Sequence, residues 1–218
     1  MDASIRTRLS RDERMEQTLE VAHLLFAEGG YAAVTMEEIA GEVGVTKPLL
    51  YNYFGNKERL YIACLERAGD ALIATIAEAV GQTDSPGDAL AAGVGAFFGF
   101  LDSDRAAWAV LFDETLPHGG EVVDRVAEYR RQIIDLVSGS LLTQLPDRAR
   151  EAAKVEVEAL STALLGAAEA LARWWLRTEA IGAADAAELL ISTVEPGLRA
   201  RSAPSPASNS PQGGSTPR

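Results

Sequence analysis

Cysteine and histidine are scarce in this sequence, which contains one cysteine, Cys64, and two histidines among 218 residues. A disulfide requires two thiols and a cysteine-based zinc site requires several, so the chain can form neither by itself. We therefore expect no metal site and no other cofactor. A solitary thiol also suits the reducing cytoplasm, where we expect the protein to reside.

Long uncharged runs are missing as well. No window reaches the ~20 consecutive apolar residues that a membrane-spanning helix needs. The N-terminal segment, which carries Arg6 and Arg8, lacks the apolar stretch of a signal peptide. The sequence therefore predicts neither secretion nor contact with a membrane.

Positive charge is in short supply, because the formal net charge is -12 at pH 7. This balance argues against a protein that coats nucleic acid, so any DNA binding must come from a local patch. Aromatic residues make up 6% of the chain, whereas hydrophobic residues, many of them alanine and leucine, make up 47%. This composition favours an all-α fold.

Two capping boxes mark helix starts near the N-terminus. Ser10 is followed three residues later by Glu13, and Thr35 by Glu38, so that each pair can satisfy free amides in the first turn of a helix. Apolar residues recur at helical spacing after the first box until the glycines at positions 29 and 30. The pattern predicts a first helix over about residues 11–28 and a second that begins after Thr35.

A third and a fourth helix are expected after Gly44, which interrupts the second. Thr46 is a candidate N-cap, and Pro48 in the first turn has the fixed φ that suits a helix start. Asn56 can then cap a long fourth helix that begins at Lys57.

Five further helix starts are expected, at Pro86, after Asp104, at Val122, at Asp147 and at Ala184. The total is about nine helices. We expect a flexible arm at 1–10, a helix-turn-helix domain at 11–57, an effector-binding and dimerisation domain at 58–200, and a disordered tail rich in serine, proline and glycine at 201–218.

The short helices between positions 35 and 54 have the layout of a helix-turn-helix, although the spacing alone also fits a plain helical hairpin. Four ordered segments decide between them: Leu25–Thr35 (LFAEGGYAAVT), Glu38–Ala40 (EIA), Leu50–Phe54 (LYNYF) and Asn56–Leu60 (NKERL). They resemble the DNA-binding segment of the TetR family of one-component bacterial regulators. The resemblance covers about the first 60 residues, and it implies a homodimer that binds an operator in double-stranded DNA and a small-molecule effector.

Outward-facing side chains of the third helix are the candidate DNA contacts. Thr46 and Lys47 lie at its positive end, where amide, hydroxyl and ammonium groups can converge on a phosphate. Lys47, Pro48, Leu49 and Asn52 remain for contacts with base edges. The resemblance adds the tyrosines, which contact phosphates and flanking bases in the family. The complete set is Thr35, Thr46, Lys47, Pro48, Leu49, Tyr51, Asn52, Tyr53 and Lys57.

Two features leave DNA binding open to question. Residues 1–60 contain seven lysines and arginines against ten acidic residues, so the domain itself is mildly acidic. Arg6 and Arg8 fit either an arm that follows the minor groove or a solvated chain end. A ligand-binding or protein-interaction module on the same scaffold is therefore the alternative function.

Eight of the fourteen aromatic residues, including all three tryptophans, lie between positions 97 and 175, where they form either ordinary core or the wall of an apolar effector cavity. The resemblance favours the cavity. The candidates are Phe97, Phe98, Phe100, Trp108, Leu111, Phe112, His118, Tyr129, Ile133 and Trp174. For His118, an ordinary surface histidine is the favoured explanation.

The last two predicted helices are the candidate dimer surface, because two copies of the pair can form a four-helix bundle. The alternative is that their apolar residues belong to the core of a single chain. The candidates are Leu160, Leu164, Ala167, Ala168, Leu171, Trp175, Leu190, Ile191 and Val194.

An enzyme is the third alternative, and the sequence gives it little support. It contains no G-x-S-x-G nucleophile segment, no Walker motif and no metal-ligand cluster. We therefore expect a regulator without catalytic activity, most simply a repressor that an effector releases from DNA.

Overall fold

The computed structural model describes residues 10–83, 86–113, 115–116 and 119–202. Every regular element in these ranges is an α-helix, which confirms the all-α prediction. The helices of the described ranges are α1 (Arg11–Ala33), α2 (Met36–Val43), α3 (Lys47–Phe54), α4 (Lys57–Gly81), α5 (Pro86–Ser103), α6 (Arg105–Leu111), α7 (Glu121–Thr143), α8 (Asp147–Thr178) and α9 (Ala183–Ser202). The predicted arm with Arg6 and Arg8, and the predicted tail beyond Ser202, lie outside them.

The helix starts agree with the predicted caps. The Ser10 hydroxyl accepts from the Glu13 amide at 3.2 Å, and the Glu13 carboxylate accepts from the Ser10 amide at 2.7 Å. Thr35 and Glu38 form the same reciprocal pair at 3.2 and 2.7 Å. Thr46 is the N-cap residue of α3, but its side chain makes no capping hydrogen bond.

The end of α1 differs from the prediction. The helix was expected to end near residue 28, yet one more helical turn follows Gly30, whose φ of +73° interrupts the regular backbone. Glycine adopts this φ without the steric cost that a side chain would impose. The chain therefore bends at Gly30 and continues as a short turn that ends at Ala33.

Helix α4 runs through the middle of the molecule and packs against α1, α5, α6 and α7. Tyr61 is fully buried, its ring lies edge-on to Phe26 at 4.9 Å, and its hydroxyl donates to the Val110 carbonyl oxygen at 2.7 Å. The core is continuous from α1 to α9. The predicted domain boundary at residues 57–58 thus falls in the first turn of α4, without a gap in the core.

Polar pairs fix α7 against α8. Arg130 donates through two nitrogens to the carboxylate of Glu169, which is only 4% exposed, and Ser138 contacts Ser161 at 2.9 Å. A buried carboxylate needs such a partner, since loss of its hydration is otherwise costly. None of the described helices is long and apolar enough to cross a membrane.

Candidate DNA-binding surface and effector cavity

Helices α2 and α3 are joined by a tight turn and share a small core. Gly44, at φ +75°, ends α2 in the left-handed conformation. Ile39 and Leu50 are fully buried, and Val43 and Phe54 are nearly so. Because these side chains take up the inner face of each helix, the opposite face of α3 is presented to solvent.

The predicted DNA contacts share this outer surface. Thr35, Thr46, Lys47, Pro48 and Asn52 are exposed, and Tyr51 is 42% exposed. Leu49, Tyr53 and Lys57 are half-buried. The structure therefore brings the candidates together at the α3 face and the two adjoining helix starts.

Lys47 lies 3.2 Å from the carboxylate of Glu37 on α2, and both side chains are at least half exposed. An ion pair so open to solvent contributes little to stability, because water competes for both charges. Phosphate or a guanine edge can therefore replace Glu37 as the partner of Lys47 at small cost.

Tyr53 and Lys57 are held by α1, which sequence reasoning did not anticipate. The Arg11 guanidinium lies 5.7 Å from the Tyr53 ring centroid. The Lys57 ammonium lies 4.6 Å from the Tyr31 ring centroid and donates to the Ala32 carbonyl oxygen at 3.3 Å. Partial burial lowers the pKa of Lys57 from its ordinary value. Lys57 therefore faces the end of α1 in this structure rather than open solvent.

An apolar cavity of about 50 Å³ lies between α4, α5, α7 and α8. Two of the predicted effector contacts, Phe97 and Ile133, line it, and Ser140 supplies the only polar side chain among the described lining residues. The remaining wall is largely aliphatic, and sequence reasoning missed it. It includes Ile76, Val80, Val94, Leu136, Val137 and Leu164.

A second, smaller cavity adjoins the first and shares Ile133 with it. Of the predicted effector contacts, Leu111, Phe112 and Tyr129 line this space of about 10 Å³. The Tyr129 hydroxyl donates to Asp70 at 2.7 Å, which connects the wall of this cavity to α4. Burial, followed by the contact with Asp70, raises the pKa of the phenol above its ordinary value.

Other predicted effector contacts lie elsewhere. Phe98 is fully buried against Phe97 and Trp175, and Phe100 is half-buried at the edge of the core. Trp108 stacks on Phe112 at 4.0 Å beside α1, and Trp174 is 39% exposed and lines neither cavity. His118 lies outside the described residues.

The predicted dimer residues divide into two groups. Leu164, Ala168, Trp175 and Leu190 are at most 7% exposed within a single chain, so they belong to its own core. Leu160, Leu171, Ile191 and Val194 are half-buried, and Ala167 is exposed. Further exposed apolar residues, which were not among these dimer candidates, are Val155, Ala159, Ala163, Gly166, Ala170 and Trp174 on α8, and Leu189 on α9.

Two family models match the chain. The one described as bacterial regulatory proteins, tetR family, matches residues 19–64, which include α2 and α3. The one described as tetracyclin repressor-like, C-terminal domain, matches residues 86–195.

Individual proteins agree with these matches. The HTH-type transcriptional activator FasR of Mycolicibacterium smegmatis is 33% identical over 172 residues, which are 79% of this chain and 76% of that protein. A TetR-like transcriptional regulator from Rhodococcus sp. RHA1 has a crystal structure with a TM-score of 0.73 and 31% identity, covering 88% of this chain and 99% of that one. The regulator FadR of Bacillus subtilis, solved in complex with stearoyl-CoA, shares the fold at a TM-score of 0.70 and 18% identity over 82% of this chain and 96% of its own.

Proposed function

Since the chain belongs to the TetR family of bacterial regulatory proteins, we propose that it represses transcription by binding a pseudo-palindromic operator as a homodimer, and that a small apolar effector releases it. The outer surface of α3 carries this proposal. Lys47, Tyr51 and Asn52 are exposed there, while Leu50 and Phe54 anchor the inner face. An ammonium and an amide on a helix of this size fit the donor and acceptor pattern of a major groove.

DNA binding is tested by selecting duplexes from a random library and measuring the affinity of the selected site. We expect Lys47→Ala to weaken binding about tenfold, because a contact of this kind contributes about 1–3 kcal/mol. Asn52→Ala should relax the preference at one base pair, since an asparagine amide pairs with adenine.

Lys154→Ala is the matched control, because Lys154 also forms an exposed ion pair, with Glu151, but on α8. It should leave the affinity unchanged. If the wild-type protein selects no duplex, the proposal fails and the acidic balance of residues 1–60 favours the module without DNA binding.

A second copy of the chain completes the proposal. One recognition helix contacts too few base pairs for useful discrimination, and a dimer places two of them about 34–36 Å apart on the DNA. The exposed apolar face of α8 and α9 supports this arrangement. Val155 is 80% exposed and Leu189 is 50% exposed, while small residues between Ala159 and Ala170 permit close approach of a partner helix.

The cavity between α4, α5, α7 and α8, called the main cavity from here on, supports an apolar effector, because Ser140 supplies the one polar side chain of its described wall. Its volume of about 50 Å³ is small, since ligand sites usually measure about 300–1,000 Å³. An effector must therefore separate α4 and α5 from α7 and α8. A ligand that binds the expanded form more tightly shifts the population toward it, and with it the position of α4.

Stearoyl-CoA is the first probe for its apolar acyl chain, which is the part expected to enter the cavity, because FadR of Bacillus subtilis, which shares the fold, is solved with it. We expect it to weaken operator binding by the wild-type protein. In Val94→Phe, which fills the main cavity, we expect the operator affinity to remain and the response to disappear. An unchanged response in that variant argues against the cavity. A response of opposite sign, in keeping with the name of the related activator, argues against release.

A further inference from the structure

The last turn of α1 is a separate piece of helix. Gly30 has a non-helical φ of +73° and ψ of 162°, so the chain leaves the helix there and re-enters it at Tyr31. The first amides of any helix lack acceptors within it, and they must find them elsewhere. At Tyr31 and Ala32 those amides point toward the segment that follows α6.

Two side chains from that segment accept these hydrogen bonds. The Asp113 carboxylate accepts from the Tyr31 amide at 2.6 Å, and the Thr115 hydroxyl oxygen accepts from the Ala32 amide at 3.3 Å. Aspartate and threonine are typical N-cap residues, but ordinary caps come from the residue just before the helix. Here they come from residues more than 80 positions away in the sequence.

We infer that Asp113 and Thr115 are positioning residues for DNA binding: they cap the last turn of α1 from the effector domain and thereby hold α2 and α3 in place. This inference rests on the proposed function. The capped turn ends at Ala33, two residues before the Thr35 cap of α2. The orientation of this turn therefore sets where α2 begins, and α2 carries the recognition helix α3 with it through their shared core.

The surroundings of the cap restrict its movement. The Thr115 amide donates to Asp113 at 2.7 Å, and the Tyr61 hydroxyl of α4 lies 3.4 Å from the same carboxylate. A Cβ atom at Gly30 would lie 2.9 Å from the Thr115 hydroxyl oxygen, so only glycine allows the loop to approach this closely. Asp113 is thus half-buried between the ends of α1 and α4, while Thr115 completes the cap from the exposed side.

The same segment reaches the effector domain. Leu111 and Phe112, directly before Asp113, line the smaller cavity together with Ile133, which also lines the main cavity. A displacement of this wall moves the residues that hold the α1 turn. The cap therefore connects the effector domain with the recognition helix through the end of α1, in addition to the direct path along α4, which it touches at Tyr61.

The test compares two threonine variants and two aspartate variants. Thr115→Val keeps the shape of the side chain but removes the acceptor, whereas Thr115→Ser keeps the hydroxyl. Asp113→Ala removes the carboxylate, and Asp135→Ala, at an exposed position of α7, makes the same charge change elsewhere. Amide hydrogen exchange of residues 30–35, affinity for the duplex selected by the wild-type protein, and melting temperature are measured for each.

We expect Asp113→Ala and Thr115→Val to speed exchange of the Tyr31 and Ala32 amides about fivefold, which is the effect of losing one N-cap. We also expect both variants to bind the operator more weakly, by more than the unfolded fraction that their melting temperatures imply. Thr115→Ser and Asp135→Ala should resemble the wild type. Unchanged exchange overturns the cap, and faster exchange with unchanged operator affinity overturns the positioning role. If the wild-type protein selects no duplex at all, the proposed function has failed, and the positioning role falls with it.

Discussion

At Gly69, α4 and α7 lie so close that a side chain of one carbon has no room. A Cβ atom placed there would lie 2.6 Å from the ring of Tyr129. We expect Gly69→Ala to lower the free energy of unfolding by about 1–3 kcal/mol, because overpacking forces the ring or the helix to shift. Urea unfolding measures the change.

Gly95→Ala is the control for this prediction, since Gly95 is also helical but has no atom within 4 Å of the added carbon. It should stabilise the protein by about 0.5–1 kcal/mol, because alanine loses less conformational freedom than glycine in a helix. Equal effects of the two substitutions would show that the contact with Tyr129 is relaxed at no cost.

Sequence reasoning identified the outward residues of α3 but not their neighbours. Periodicity places Asn52 away from the face that carries Leu50 and Phe54. Lys47 lies three residues before Leu50, so its outward position follows from its charge and its place at the helix start rather than from the repeat. The sequence does not show that Lys47 meets Glu37, or that Lys57 turns back to Ala32, because those contacts depend on how helices far apart in the sequence are packed. Local patterns determine which face is exposed, and tertiary packing determines what lies beside it.

Helices α2 and α3 begin in different ways, so substitutions at their N-caps should affect stability and DNA binding differently. Thr35 accepts a capping hydrogen bond, whereas Thr46 makes none. We expect Thr35→Ala to lower the free energy of unfolding by about 1 kcal/mol. Thr46→Ala should leave stability nearly unchanged but weaken operator binding. Urea unfolding and duplex titration distinguish them, and equal stability losses would contradict this division.

The cost of Thr35→Ala should also depend on pH. Hydrogen bonds from the Thr35 amide and then its hydroxyl hold the pKa of Glu38 below its usual value of 4.5. The ionised Glu38 carboxylate therefore contributes to the free energy of unfolding above pH 4.5, and this contribution is lost as the pH falls through the depressed pKa of the folded state. The difference in stability between the two proteins should therefore become smaller in acid, where the capping hydrogen bond that Thr35 accepts from the Glu38 amide still remains.

Helix α8 shows where element-level prediction stops. Its bounds follow from Asp147 and the apolar repeat, yet alanine and leucine occur on nearly every face. The repeat does not distinguish a face buried against α7 from one that awaits a partner. The solvent exposure of each residue distinguishes the two faces, since Leu164 and Trp175 are at most 7% exposed while Gly166 and Ala170 are exposed.

For the whole molecule, the proposed dimer makes a direct prediction. We expect Gly166→Arg with Ala170→Arg to yield a folded monomer, because two bulky charges would occupy the face proposed for a second copy. Operator affinity should fall by about 100-fold or more, since each recognition helix then binds alone. Sedimentation and duplex titration measure both, with Ala91→Arg, an exposed position on α5, as the control. A double variant that stays dimeric would move the interface elsewhere.

The cavity could not be predicted from residue types alone. Aromatic residues were predicted to line the cavity, but Phe98 is buried in the core and Trp174 is exposed. The walls are mostly valine, leucine and isoleucine. An aliphatic side chain has the same pattern in a packed core and beside a void. Only the arrangement of four helices creates the space.

The close contact between Gly69 and Tyr129 also gives α4 a candidate pivot. Gly69 stands near the midpoint of the helix, about 18 Å from Lys57 and about 17 Å from Val80 at 1.5 Å per residue. Under the proposed mechanism, if α4 pivots at Tyr129, an outward displacement of its cavity end would move its N-terminal end inward by a similar distance, because the two arms are nearly equal.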